Sequence, residues 1–164
     1  MRETGCERTL FSTLAPCTSA DPATVQTVLE RAGITQLYPN FEDWFLRKVV
    51  PGIRAGERCI MTSFIEGLLV GVAICKRTEV ERKLCTLWVS PQARRRGVAS
   101  ELASSAFSWL GTNQPLFTVP EERLCEFDRL LQSWSFPKPV IYKDLYRSDR
   151  AEYVFNEHLD TVCH

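Results

Sequence analysis

Leu87-Trp88-Val89-Ser90-Pro91-Gln92-Ala93-Arg94-Arg95-Arg96-Gly97-Val98-Ala99 reads as a strand stopped by a proline, a polar turn of three arginines, and a glycine that opens a helix. Such a junction leaves several backbone N–H groups without partners at a helix start, where the macrodipole adds roughly half a positive charge. Gly97 has no side chain to keep an anion off the backbone, and Ala99 intrudes little. Arginine forks suit phosphate oxygens. Two readings stand at this point: solvated arginines beside a loop glycine, or an anion site over Arg94–Ala99. Positive side chains at a helix N-terminus oppose the dipole and cost stability unless an anion is bound, which favours the second.

Outward from this junction the period of the sequence changes. Upstream, Arg58 to Ile65, Leu68 to Lys76 and Lys83 to Val89 are β-branched and apolar, and Glu66-Gly67 marks a hairpin between the first two. Downstream, Val98, Leu102, Ala103, Ala106, Phe107 and Leu110 trace a helical stripe closed by Gly111. Leu116 to Val119 is a short strand, Leu124, Phe127, Leu131 and Trp134 mark another helix, and Pro137 and Pro139 forbid its continuation. Val140 to Tyr146 and Glu152 to Phe155 close the chain as strands meeting near Ser148-Asp149. Before the strands, Asp21-Pro22 starts a helix that Gly33 ends; a second starts near Asn40 and is stopped by Pro51-Gly52. Arg8 to Leu14 is expected as a first strand. The order β-α-α-β-β-β-α-β-α-β-β implies an α/β fold: a mixed, largely antiparallel sheet with helices on both faces.

A chain of 164 residues suits one domain, with its core over about 9–155 and a tail over 156–164. Twenty basic and twenty acidic side chains cancel, so no global field favours nucleic acid or an anionic membrane as partner, and no apolar run reaches the roughly 20 residues of a membrane span. Seven cysteines without a C-x-x-C pair, and histidines only at His158 and His164, argue against a metal site. Free thiols in a reducing cytoplasm are the expectation.

Val89-Ser90-Pro91 followed by Arg94-Arg95-Arg96-Gly97-Val98-Ala99 resembles the fingerprint of the GCN5-related N-acetyltransferase (GNAT) family, a strand ending V-x-P and then [RQ]-x-x-G-x-[GA] opening a helix. The element order from about Thr9 to Phe155 is similar to the family's as well. The resemblance implies acetyl-CoA as co-substrate without a metal, with the N–H groups of Arg95 to Ala99 cradling the pyrophosphate beside Arg94. It implies that Leu87, Trp88 and Val89 pair with the pantetheine arm, and that the strand near Phe117 splays away to leave a slot. The reaction it implies is direct attack by the primary amine of a small molecule or peptide. A non-catalytic CoA-binding regulatory module is the alternative.

Two positions depart from the family pattern. Where many members carry a tyrosine that protonates the leaving thiolate, counting back from Phe136 finds Leu131, and Ser135 stands for a glycine. The fingerprint strand, where many carry a glutamate base, offers Cys85 and Thr86. Glu121, after Pro120 at the end of the short strand, is the expected catalytic base, with Glu122 as its neighbour. Tyr146 is the expected acid, with Tyr142 on the same predicted strand; either tyrosine also reads as an ordinary amphipathic strand residue. Either glutamate also suits a helix first turn for dipole reasons alone. Tyr38, Phe41, Trp44 and Phe45 either line an acceptor pocket or form a core stripe. The closing strands offer an edge that can pair across a homodimer.

Overall fold

The computed structural model describes residues 20–157; the strand expected over 8–14 lies outside them. Among the described residues six strands form one sheet in the order β1-β2-β3-β4-β6-β5. β1 (Arg58–Ile65) and β2 (Leu68–Arg77) are antiparallel, joined through Glu66 and Gly67 with φ of 51° and 78°, the doubly left-handed turn that matches strand twist. β3 (Arg82–Val89) runs antiparallel to β2 with a bulge: Ile74 faces Thr86 while Cys75 faces Leu84, leaving Cys85 as the extra residue. β4 (Leu116–Pro120) runs parallel to β3, but only Lys83 with Leu116 and Leu84 with Phe117 pair. β6 (Ala151–Phe155) returns antiparallel to β4, and β5 (Val140–Lys143) forms the far edge.

Alternation along the strands gives each face its own core. Met61, Cys75, Leu84, Phe117, Val119 and Phe155 pack with Leu102, Ala106 and Leu110 of α5 (Val98–Leu110), and with Phe127, Leu131 and Trp134 of α6 (Leu124–Trp134). Ile60, Val72 and Ile74 on the opposite face meet Val25 and Leu29 of α1 (Pro22–Arg31) and Phe41, Phe45 and Val49. Gly71 sits under the first turn of α5: a Cβ there would lie 2.7 Å from Val98 Cγ1 and 2.8 Å from Leu102 Cδ1. That glycine lets the fingerprint helix settle onto β2.

The helix expected to stop at Pro51-Gly52 instead continues. After the short α2 (Ile34–Leu37), α3 (Phe41–Trp44) passes into a π turn (Phe45–Val49) and then α4 (Val50–Arg54). In the wide turn the Val50 N–H reaches the Phe45 carbonyl, and this change of register absorbs the donor that Pro51 lacks. Gly52 is buried because the Arg58 side chain crosses it; a Cβ would lie 2.6 Å from Arg58 Cδ. The expected strand from Val140 to Tyr146 also ends early, at Lys143. Asp144 turns to φ 60° and its carboxylate accepts the Asp149 N–H at 2.6 Å, so Tyr146 lies in the connecting loop. Cys75, Cys85 and Cys125 are free thiols as expected; Cys59 departs from that expectation, being disulfide-bonded.

Candidate functional site

The turn between β3 and α5 has the geometry its sequence suggests. After a 3-10 turn at Pro91–Ala93, Arg95 and Gly97 take left-handed φ of 61° and 82°. Alternating backbone of this kind forms a concave nest of N–H groups. From Arg95 to Ala99 no backbone N–H has a partner among the described residues. A Cβ built on Gly97 meets nothing within 4 Å, so the hollow is open. Arg95 and Arg96 are exposed, while Arg94 leans toward α6 and sits 3.6 Å from Glu126. An anion with several acceptor oxygens fits this turn.

Beyond Leu84 and Phe117, β3 and β4 have no pairing, so β3 from Cys85 to Val89 keeps a free edge toward β4. A cavity of about 400 Å³ opens where they part, on the α1–α4 face of the sheet. Cys85 and Thr86 of β3 and Thr118 of β4 form its floor; Tyr38, Phe41, Trp44 and Tyr146 form its walls. The Lys83 ammonium donates to the Tyr146 hydroxyl at 3.4 Å, and the Tyr146 ring meets Tyr38 edge-on at 5.3 Å. Burial pushes the Cys85 thiol up despite Lys83 and Arg58 beside it, which disfavours a thiolate nucleophile.

Outside the cavity lining, one acidic group stands out by its burial. Glu152 is 1% exposed, and among the described residues neither carboxylate oxygen has a hydrogen bond. Burial raises it to about 7, against the pull of Arg147. It shares a sheet face with Thr118, since Val154 pairs with Thr118 and Glu152 is two residues along β6. Arg147 donates to Glu122 at 2.6 Å and holds that carboxylate down at about 2. Burial and then Glu152 push the Tyr38 phenol up.

The Acetyltransferase (GNAT) family model matches residues 23–117. The chain belongs to the GNAT acetyltransferase family. No curated protein matches it. Among solved structures it is similar to a Desulfovibrio desulfuricans protein assigned to the GNAT acetyltransferases, at TM-score 0.69 and 15% identity over 87% of this chain and 95% of that one. It is also similar to ribosomal-protein-alanine N-acetyltransferase from Brucella melitensis, at TM-score 0.60 and 14% identity over 83% and 94%. A Bacillus anthracis protein assigned as a streptothricin acetyltransferase, solved with acetyl coenzyme A, follows at TM-score 0.52 and 13% identity over 60% and 61%.

Within this GNAT fold the sequence-derived residues separate in space. Leu87, Trp88 and Val89 lie on the unpaired length of β3, leading to Arg94–Ala99. Tyr146 lines the cavity, whereas Tyr142 donates to Glu157 at 2.6 Å outside it. Glu121 sits in a 3-10 turn (Glu121–Arg123), exposed and 3.8 Å from Arg150, and is not among the cavity-lining residues. Tyr38, Phe41 and Trp44 line the cavity, while Phe45 is fully buried in the core. Leu131 packs against the α5–α6 core, and Ser135 takes φ 54°, the conformation that favours glycine. Sequence reasoning missed Glu152 and Lys83. Each reads as an ordinary polar residue at a strand end, and only the tertiary fold gives it a neighbourhood.

Proposed function

We propose that this GNAT protein transfers an acetyl group from acetyl-CoA to a primary amine of a small molecule or peptide by direct attack. The observation that carries this reading is the parting of β3 and β4 directly over a cavity, with the anion turn on the same strand. The co-substrate supplies the acyl group as a thioester. The turn at Arg94–Ala99 binds by its free N–H groups and charge, and the open edge at Leu87–Val89 orients by strand-like pairing. The cavity offers the amine a separate approach to the same point, and the free edge near Val89 can donate an N–H to a developing oxyanion.

Proton handling falls to the protein's own groups. Tyr146 is proposed to assist the leaving thiolate, with Lys83 beside its hydroxyl. Glu121 remains the proposed base by its place after β4, acting through water. A second candidate, Glu152, is favoured by its burial and its elevated pKa, which suits a base working near neutrality. The regulatory-module reading draws on one observation, the leucine at position 131. Steady-state assays with acetyl-CoA and a broad amine panel separate the two. Amine-dependent release of CoA supports the enzyme, and tight acetyl-CoA binding with no turnover for any amine supports the module.

A further inference from the structure

Arg58, Lys76 and Lys83 lie in one row across three strands: Arg58 pairs with Lys76, and Lys76 pairs with Lys83. All three side chains line the same cavity. Like charges directly opposed in a ladder destabilise a sheet, so the row needs compensation. Glu81 answers Lys76 at 2.5 Å. Among the described residues the other two form no salt bridge, though Glu81 also acts on Lys83 through space. Among the described residues, Arg58 donates only to Cys85 Sγ at 3.6 Å and stacks over Trp44 at 5.6 Å, and the Lys83 ammonium donates only to the Tyr146 hydroxyl. Glu152 acts on Lys83 through space without forming an ion pair. Burial pulls Lys83 down, but Tyr146, Cys85 and Glu81 around it push it up further.

The two cations are also held in place. Gly52 leaves room for the Arg58 stem and Trp44 covers its head. They do not serve the phosphates of a coenzyme. The anion turn follows the far end of β3, and Lys83 to Val89 spans about 20 Å of strand. Cys85, at the point where β3 and β4 part, is the Arg58 contact. An anion held there would therefore lie beside the reacting amine.

We propose that the cavity takes an acceptor bearing a carboxylate next to its amine, an amino-acid-like molecule, with the carboxylate held between Arg58 and Lys83. Its hydrocarbon part lies against Tyr38, Phe41 and Trp44. This rests on the acyl-transfer reading above. In the reaction the amine nitrogen bonds the thioester carbonyl carbon and the carbon–sulfur bond breaks. One proton passes from nitrogen to sulfur, so amine and thioester become amide and thiol. The cations add a second effect. Positive charge beside an ammonium favours its neutral form, which is the nucleophile.

The test uses the full chain, acetyl-CoA, and phenylalanine, leucine and methionine, each beside its decarboxylated amine. At least one amino acid should exceed its amine in kcat/KM by about tenfold or more, the scale of one charge-assisted contact. Arg58→Gln and Lys83→Met should each collapse that ratio while acetyl-CoA affinity, read by calorimetry, reports an intact fold. Preference for the amines, or a ratio untouched in both variants, overturns the proposal. If no acceptor of either kind turns over although acetyl-CoA binds, the transfer reading fails. Calorimetric titration with the three amino acids then decides the anion site. Binding to the wild type that is lost in both variants upholds it, and no binding to the wild type overturns it.

Discussion

The Arg147 guanidinium stands 3.9 Å from the Glu152 carboxylate, near enough to attract it and too far to donate to it. Its other terminal nitrogen, Nη1, donates to Glu122 at 2.6 Å. One cation thus faces two carboxylates and satisfies only one. The outcome is a pair driven apart: Glu122 falls to about 2, chiefly through its hydrogen bond from Arg147, and Glu152 rises to about 7, chiefly through burial. Buried charges without hydrogen bonds are costly, and in enzymes they gather where proton transfer occurs.

This split predicts stability profiles of opposite sign. Glu152 keeps its proton in the folded protein up to about 7, whereas the unfolded carboxyl loses it near 4.5. Its contribution is therefore full below pH 4.5 and declines as the pH rises to 7. Glu122 contributes above 4.5 and loses that contribution as the pH falls toward 2. Thermal denaturation of Glu152→Gln should show a flatter Tm between pH 5 and 7 than the wild type, and Glu122→Gln a flatter Tm below pH 4.5. Profiles parallel to the wild type in both variants would refute the split.

At the anion turn, Gly97→Asp should abolish acetyl-CoA binding, because a carboxylate would enter the hollow that is now open and repel phosphate. Gly97→Ala serves as its control. A left-handed φ of 82° costs an alanine about 1 kcal/mol, so the variant should be slightly less stable yet still bind. Arg94→Ala should weaken binding by about 1 kcal/mol, toward the low end for a charge-assisted contact because Arg94 also attends Glu126. Calorimetry on the three proteins checks each value, and unchanged affinity in Gly97→Asp would end the assignment of this turn.

Ser135 caps α6 at φ 54° and ψ 38°, in the place where the family resemblance calls for glycine. Ser135→Gly should stabilise the protein by a few tenths of a kcal/mol and up to about 1. Relief of left-handed strain outweighs the greater freedom of the unfolded chain. Urea denaturation measures it, and a loss of stability would mean that the serine side chain makes a compensating contact.

What could be read from sequence is what is local. Strand, proline, arginines and glycine are contiguous, so the turn at Arg94–Ala99 was visible without a fold, as was the Glu66-Gly67 hairpin. Pro51 misled because a π turn upstream changes which carbonyl needs a donor, and no residue type marks such a turn. Tyr146 moved from strand to loop because Asp144 takes a left-handed conformation fixed by a hydrogen bond from Asp149. The cation row depends on register. The hairpin turn suggests that Arg58 lies near Lys76, but the bulge at Ser63/Phe64 shifts that pairing by one residue. Glu152 is polar in an alternating strand, the ordinary signature of exposure, and its burial comes from the tertiary fold, which sets the Arg147 guanidinium 3.9 Å away.

Proton transfer can be assigned by comparing three carboxylates and one phenol. Glu121 is exposed beside Arg150 and reaches the reacting centre only through water. Glu122 is neutralised by Arg147 and makes a poor base at about 2. Glu152 is poised near neutrality but does not line the cavity, and it acts electrostatically on Tyr38, which does. A working base of elevated pKa would give kcat/KM an ascending limb with an apparent pKa near 7. If Glu152 is that base, Glu152→Gln lowers kcat by on the order of 10²-fold and removes the limb, and Glu121→Gln changes little. If Glu121 serves instead, the two variants exchange behaviour. Tyr146→Phe should reduce kcat by about tenfold or more with acetyl-CoA affinity kept, because the hydroxyl that Lys83 contacts is lost while the ring against Tyr38 remains. A pH–rate profile unchanged in all of these variants would assign the proton to solvent and leave positioning as the protein's whole contribution.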